Sequence, residues 1–267
     1  MRGLVVKIGR ERILLVADTH VGYEVELRLN GIYATSQTAR LRKNLIEWGE
    51  EVGANTLAIL GDIKHELPVP RETASEVREF LKDLSKSFER VILIPGNHDS
   101  MIDEIADGIQ GVYVADSRGV LLEGPRNVLL LHGHAKPRPE DLAASDVLVM
   151  GHTHPALSIV DEIGYISREP VILKITQNKG ELFRRMFGGE AEGGYIKVVV
   201  LPASHPLITG YDIINLIQLN NDERTIMKYM NLDYRSIEVY LTDFTFLGTL
   251  DVVAESKEES RLEMVTS

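Results

Sequence analysis

An α/β fold is predicted by three observations. Strand and helix patterns alternate from Leu4 to Leu93, so the first half reads as doubly wound with parallel strands. Beyond His98 the helices thin out and short β patterns recur, so the second half reads as β-rich. Five apolar runs of β-forming residues break off into polar loops: Ile13 to Ala17 into Asp18-Thr19-His20, Leu57 to Leu60 into Gly61-Asp62, and Val91 to Ile94 into Pro95-Gly96-Asn97-His98-Asp99. The other two are Val128 to Leu131 into His132-Gly133-His134 and Val147 to Met150 into Gly151-His152-Thr153-His154. Five buried strands would thus deliver Asp, Asn and His to one rim.

Leu4 to Ile8 and Arg12 to Ala17 flank Gly9-Arg10-Glu11 and predict an opening hairpin. Thr35 to Val52 places Leu41, Leu45, Ile46, Trp48 and Val52 at helical spacing behind a candidate cap at Thr35 or Ser36. Glu72 to Phe88 predicts a second helix, with Ala74, Val77, Phe80, Leu81, Leu84 and Phe88 facing inward. Trp48 and Phe80 therefore read as core and not as base-stacking platforms, and Arg40, Arg42 and Lys43 as a solvated helix face. Ile102 to Ala106 and Pro139 to Ala144 predict short helices. Strands are expected at Val112, Val120, Val128, Val147, Leu157 and Tyr165 to Ile175. Glu181 to Gly194, with its paired glycines, reads as a flexible excursion before a strand at Tyr195 to Leu201. Asn220 to Tyr234 is polar and weakly periodic and fits either a helix or a long loop. Ile237 to Tyr240, Phe244 to Leu247 and Leu250 to Val253 predict closing strands. With no repeat and no linker, residues 1–254 are expected to form one domain and 255–267 a disordered acidic tail.

At 267 residues and 44% hydrophobic content, the chain can bury a substantial core. It contains no cysteine, which excludes disulfides and thiolate-bound zinc and leaves only nitrogen and oxygen donors for a transition metal. The apolar run at Met1 to Lys7 is too short for a signal peptide, and charges interrupt every longer one, so a soluble cytoplasmic protein with no membrane partner is expected. The formal charge of −11 argues against a continuous basic track for duplex DNA. Part of that charge would be neutralised by metal, and part lies in the tail at Glu255 to Glu263.

Seven of the eight histidines (His20, His65, His98, His132, His134, His152 and His154) fall in or beside the loops that end strands; His205 lies elsewhere. Any one of them alone is more simply a histidine satisfied by hydrogen bonds, but seven on one rim are not explained that way. Carboxylate, imidazole and amide oxygen suit two divalent cations of borderline character, with Mn²⁺ expected and Fe²⁺, Ni²⁺ or Zn²⁺ as the other candidates. In Asp18-Thr19-His20, strand alternation would send carboxylate and imidazole to one side, where they can grip one ion; His152-Thr153-His154 repeats the pattern. Asp62, placed after a glycine that permits a sharp turn, is the natural bridge between two cations. Two cations about 3.5–4 Å apart would share a hydroxide of lowered pKa, placed for in-line attack on phosphorus.

In chain order, Asp18/His20, Gly61-Asp62, Gly96-Asn97-His98-Asp99, His132 and Gly151-His152-Thr153-His154 resemble the DxH, GD, GNHD, lone His and GHxH blocks of the calcineurin-like metallophosphoesterases. The resemblance implies a four-layer α-β-β-α sandwich of two packed mixed β-sheets flanked by helices. It also implies that Asp18, His20, Asp62 and His154 hold one metal, while Asp62, Asn97, His132 and His152 hold the other. Asp18-Thr19-His20-Val21-Gly22, Gly61-Asp62-Ile63-Lys64-His65, His132-Gly133-His134 and Gly151-His152-Thr153-His154-Pro155 are most similar to the ICC-like phosphoesterases, a group that includes ligase-associated DNA-damage-response endonucleases. Leu201-Pro202, Gly210 and Glu238-Val239-Tyr240 extend the likeness to about Val253. Tyr23, where that group usually has a basic residue, and the stretch Asn220 to Tyr234 depart from it.

The activity implied is a two-metal phosphodiesterase or nuclease in which a metal-bridging hydroxide attacks nucleic acid, single-stranded or flexible more than long duplex, or a small phosphodiester. DNA-repair proteins are candidate partners. His98, His65 and Asp99 are the candidate catalytic residues. His98, beside a ligand, is expected to project into the cleft as general acid. His65 stands where phosphoprotein-phosphatase members carry aspartate and double-strand-break-repair nuclease members carry histidine; it would contact the scissile phosphate or else orient His98. His134, Lys136 and Arg138 are candidate substrate contacts, weighed against a backbone-bonded role for His134 and simple solvation for the two cationic side chains. The rivals are a phosphomonoesterase or nucleotide pyrophosphatase on the same metal core and a metal-poor scaffold, which intact ligand blocks argue against.

Overall fold

The computed structural model describes residues 2–65, 70–161, 163–190, 193–218 and 224–256. The first half opens with the expected hairpin, β1 (Gly3–Ile8) and β2 (Glu11–Ala17), then passes through α1 (Tyr23–Leu29), α2 (Thr38–Val52), β3 (Thr56–Leu60), α3 (Arg71–Ser87), β4 (Arg90–Ile94), α4 (Ile102–Ala106) and β5 (Val112–Val114). These strands form a sheet in sequence order. β1 is antiparallel to β2, and the other pairs are parallel. The second half contains β6 (Val120–Leu122), β7 (Val128–Leu130), α5 (Pro139–Ala144), β8 (Val147–Met150), β9 (Pro155–Val160), β10 (Ile166–Asn178), α6 (Lys179–Phe187), β11 (Tyr195–Val200), β12 (Tyr211–Asp212), α7 (Ile213–Gln218), β13 (Ile237–Leu241) and β14 (Phe246–Thr249). They build a nine-stranded sheet in which β12-β9-β10-β11-β8-β7-β6 lie side by side and β13 joins β10 to β14. Parallel pairs β7–β8 and β8–β11 sit among antiparallel ones, so this sheet is mixed.

Period-two alternation with apolar residues on both faces explains the layering. Leu14 and Val16 of β2, Leu57 and Ile59 of β3, and Val91 and Leu93 of β4 pack outward against Leu41, Leu45, Phe80 and Leu84 of α2 and α3. Their neighbours Ile13, Leu15, Ala58, Leu60, Ile92 and Ile94 pack inward against Val128, Leu130, Val149 and Ile172 of the second sheet. On that sheet's far face Leu129, Leu148, Met150, Leu173 and Val198 meet Leu142 of α5 and Leu182 and Met186 of α6. The result is a four-layer α-β-β-α sandwich, as expected. Because β2, β3, β4, β7 and β8 end at one rim, the loops after them share it.

Several expectations are corrected. Glu181 to Gly194 is not wholly a loop: α6 starts on the Asn178 side chain, which accepts from the Glu181 amide, and ends on Gly188. Residues 250–256 are helical, so the closing strand expected at Leu250 to Val253 is absent and the expected tail lies outside the described residues from residue 257 on. The stretch Asn220 to Tyr234 is neither a helix nor an open loop where described: after residue 224 it forms a short 3₁₀ turn at Ile226–Tyr229, whose Ile226 and Met227 are buried in the core. Helix α1 has no counterpart among the expected elements. Its Glu24 is buried, with the carboxylate accepting from the Gln37 amide and lying 3.4 Å from His205.

Candidate metal centre

Two groups of donors converge where the strand ends of both sheets meet. Asp18, His20 and His154 form the first and Asp62, His132 and His152 the second, with the donor atoms of each group within 4.8 Å of one another. In the first, Asp18 Oδ1 lies 3.2 Å from His154 Nε2, which is 3.3 Å from His20 Nε2. In the second, His132 Nε2 is 3.0 Å from His152 Nδ1 and 3.2 Å from Asn97 Oδ1. Asp62 stands between them, with Oδ2 3.7 Å from His20 Nε2 and Oδ1 3.5 Å from His132 Nε2. Each group draws on both sheets.

Strand alternation does not account for this convergence. β2 ends at Ala17 and β8 at Met150, before the donors begin. Asp18, His20, Asp62, His152 and His154 instead make up five of the seven non-glycine residues with positive φ among the described residues. Such backbone costs on the order of 1–3 kcal/mol per residue and persists where surrounding structure enforces it, commonly at functional sites. Two glycines permit the close approach: a Cβ at Gly61 would lie 2.1 Å from His132 Nδ1, and one at Gly96 2.2 Å from Asp62 Oδ1.

The electrostatics fit cations. Asp18 Oδ1 is buried without a hydrogen-bond partner, a position an electropositive ligand would satisfy. Burial opposes ionisation of Asp18, but His154 and His132 outweigh it and hold the carboxyl below its usual range. Asp62 is likewise depressed against burial, through His132 and His20. Burial pushes His20 down to about 3 and His152 down to about 4, so both imidazoles offer lone pairs. His132 is pushed up to about 9: burial works against the charge, but the hydrogen bond to Asp62 and the charges of Asp18 and Asp62 prevail. Without metal, then, this site concentrates enough negative charge to retain a proton that a divalent cation would displace.

Outer partners fix which ring nitrogens face in. His132 Nδ1 donates to the Leu60 carbonyl at 3.1 Å, leaving Nε2 for the centre. His152 Nε2 donates to the Arg224 carbonyl at 3.0 Å, leaving Nδ1. His98 Nδ1 donates to the His65 carbonyl at 2.6 Å, and its Nε2 has no protein partner among the described residues.

A model of the calcineurin-like phosphoesterases matches residues 11–189. The chain belongs to the calcineurin-like phosphoesterase family. Members are binuclear metal-dependent phosphoesterases, and the paired donor groups suit that chemistry. Among solved structures, the crystal structure of the Pseudomonas putida nuclease MPE is similar at a TM-score of 0.48 and 20% identity, covering 90% of this chain and 96% of that one. No curated protein matches the chain.

Around its metal centre this calcineurin-like phosphoesterase departs from several sequence expectations. Asp99, expected to be catalytic, is buried and spends both oxygens on backbone: the amides of Ile63 (2.9 and 3.1 Å), Lys64 (3.2 Å) and Gly96 (2.8 Å). It ties the Asp62 loop to the Asn97 loop. Burial pushes its pKa up to about 6. Lys136 is no free phosphate contact, since its Nζ donates to the Met186 carbonyl at 2.7 Å and lies 4.7 Å from the Tyr229 ring centroid. Arg138 pairs with Asp116 at 2.5 Å. His134 packs 5.2 Å from the His132 ring, and its buried Nδ1 has no hydrogen-bond partner, so the backbone bond expected of it is not made through that nitrogen. His205, set apart in the sequence, is fully buried beside the Tyr23 ring of α1. The Arg224 carbonyl and Glu26, which contacts His65 from α1, carry no motif; only the position of Glu26 shortly after Asp18-Thr19-His20 gave a signal.

Proposed function

We propose that the chain is a two-cation phosphodiesterase that cleaves nucleic acid, single-stranded or flexible in preference to long duplex. The observation that carries this reading is the pair of donor groups sharing Asp62 beside an imidazole, His98, whose Nε2 is uncommitted. Asp18, His20, Asp62 and His154 would hold one cation and Asp62, Asn97, His132 and His152 the other. Mn²⁺ suits these nitrogen and oxygen donors. When bound, the cations supply Lewis acidity and neutralise charge on a phosphoryl group. His98 acts as general acid: with Nδ1–H anchored to the His65 carbonyl, Nε2 presents a proton to the leaving oxygen. Asp99 and the Gly96 turn hold the loop that aims it.

The preference for a diester rests on charge. Lys64, Lys136 and Arg138, the cationic side chains nearest in sequence to the donor blocks, are committed to the His98 carbonyl, the Met186 carbonyl and Asp116. A doubly charged monoester gains most from additional cationic clamps, whereas a singly charged diester needs fewer. The net charge of −11 leaves little room for the basic track that duplex requires.

The test offers bis(p-nitrophenyl) phosphate, p-nitrophenyl phosphate and covalently closed single-stranded DNA to Mn²⁺-loaded protein. Hydrolysis of the diester and nicking of the circle are expected. Rapid monoester hydrolysis with neither diester cut would overturn the nuclease reading in favour of a phosphatase.

A further inference from the structure

His20 reaches the first donor group through Nε2, which is 3.3 Å from His154 Nε2. A neutral His20 that offers the Nε2 lone pair must carry its proton on Nδ1. That nitrogen lies 3.1 Å from Nδ1 of His65. Two nitrogens at that distance need one donor and one acceptor, so His65 accepts on Nδ1 and carries its own proton on Nε2. His65 Nε2 in turn contacts a carboxylate oxygen of Glu26 on α1. The three bonds agree on one tautomer at each ring.

We propose that Glu26, His65 and His20 form a carboxylate–imidazole–imidazole relay that fixes His20 in its metal-binding tautomer, making Glu26 and His65 positioning residues for the first cation. Both nitrogens of His65 are then occupied, so it does not touch a scissile phosphate as the sequence suggests. Its backbone still serves His98, because the His65 carbonyl accepts from His98 Nδ1. Helix α1 is fixed in place beside the relay, since buried Glu24, next to His205 and the Gln37 amide, pins it, and the Tyr23 ring stands edge-on at 4.9 Å from His65. Carboxylates that orient a ligating imidazole typically change metal affinity by about 10–100-fold when removed. Here the carboxylate acts through one more ring.

The relay rests on the two-cation reading for its effect on metal affinity but not for its tautomers, and the experiment separates the two. Imidazole nitrogen NMR on the metal-free protein, above the ordinary histidine titration range, reads which nitrogen of each ring is protonated. Nδ1–H on His20 and Nε2–H on His65 are expected. In Glu26→Leu, His65 should populate both tautomers, and calorimetric titration with Mn²⁺ should show one of two sites weakened by about 10–100-fold. Glu26→Gln keeps an acceptor oxygen without the charge and should fall between Glu26→Leu and the parent. The Glu26 side chain is about half exposed, at 49%, so without metal these variants should unfold at the temperature of the metal-free parent. Nδ1–H on His65 in the parent protein, or two undiminished Mn²⁺ sites in Glu26→Leu, would overturn the relay. A parent protein that binds fewer than two Mn²⁺ would overturn the two-cation reading instead, with the tautomers still deciding the relay.

Discussion

The two donor groups are built from the same residue types but are secured differently. The second group is anchored by backbone: His132 donates to the Leu60 carbonyl at the end of β3, and His152 to the Arg224 carbonyl, just before the buried 3₁₀ turn. His132 is fully buried, and the neighbouring Ile226 amide donates to the Gly133 carbonyl. In the first group Asp18 Oδ2 accepts from the His152 amide at 2.9 Å, but His20 is anchored through side chains, and the outermost of these, Glu26, stands half in water on the seven-residue helix α1. A carbonyl in a packed core has one position, whereas an exposed glutamate has many rotamers to lose. The second group should therefore be the more rigid and retentive, and the first the more easily altered by mutation.

Asp62 belongs to both groups, because one oxygen serves each. Asp62→Asn should lower occupancy at both sites together and bring turnover to background, whereas His20→Ala should weaken mainly one site. Calorimetry with Mn²⁺ checks this, and two strong sites surviving in Asp62→Asn would refute the shared role.

His98 belongs to neither group, so His98→Ala should keep both metals and the fold while turnover falls by roughly two to four orders of magnitude. A substrate with a good leaving group needs little protonation and should show the smaller deficit. Equal deficits for good and poor leaving groups would exclude proton donation and favour a charge-stabilising role.

Chelation tests the difference in retention. Each site drawing on both sheets should stabilise the fold by about 2.7 kcal/mol at a free metal concentration 100-fold above its Kd. For a chain of this size that amounts to roughly 5–10 °C in Tm per site. Titrating in a chelator should lower Tm in two stages. The stage that His20→Ala abolishes is expected first and the stage that His132→Ala abolishes second; the reverse order would make the first group the more retentive.

The donors were legible in the sequence because chemistry and strand ends coincide there: an apolar run followed by Asp, Asn or His is visible without coordinates. The four-layer sandwich followed from the family resemblance, and the structure supplies its reason: the residues of β2, β3 and β4 are apolar on both faces and so need a layer on each side. The means of convergence was not legible. Left-handed backbone at Asp18 and His154 leaves no periodic trace; alternation paired Asp18 with His20 as the structure does, but it also paired His152 with His154, which the structure divides between the two donor groups. The outer partners were hidden for a related cause, since the Arg224 carbonyl acts through a group every residue has. The backbone bonding of Asp99 was hidden because a carboxylate in a donor-rich loop looks alike whether it faces the cleft or backbone amides.

The smallest expected effect concerns Lys136, where the two views of the site divide. As a substrate contact its loss would raise KM and weaken the dependence of binding on salt. The structure instead places its ammonium between the Met186 carbonyl and the Tyr229 ring, joining α6 to the turn that follows Arg224. Lys136→Met keeps an apolar stem of similar length and removes one hydrogen bond and two cation–π contacts, to the Tyr229 and Phe187 rings, together worth about 1–3 kcal/mol. Tm should fall by a few degrees while KM stays unchanged. Because the turn carries the carbonyl that orients His152, Mn²⁺ affinity at the second site should fall slightly, and less than the first site loses in Glu26→Leu. A raised KM with unchanged Tm would return Lys136 to the substrate. Equal losses of metal affinity in the two variants would mean that the backbone-anchored group is no more securely held than the other.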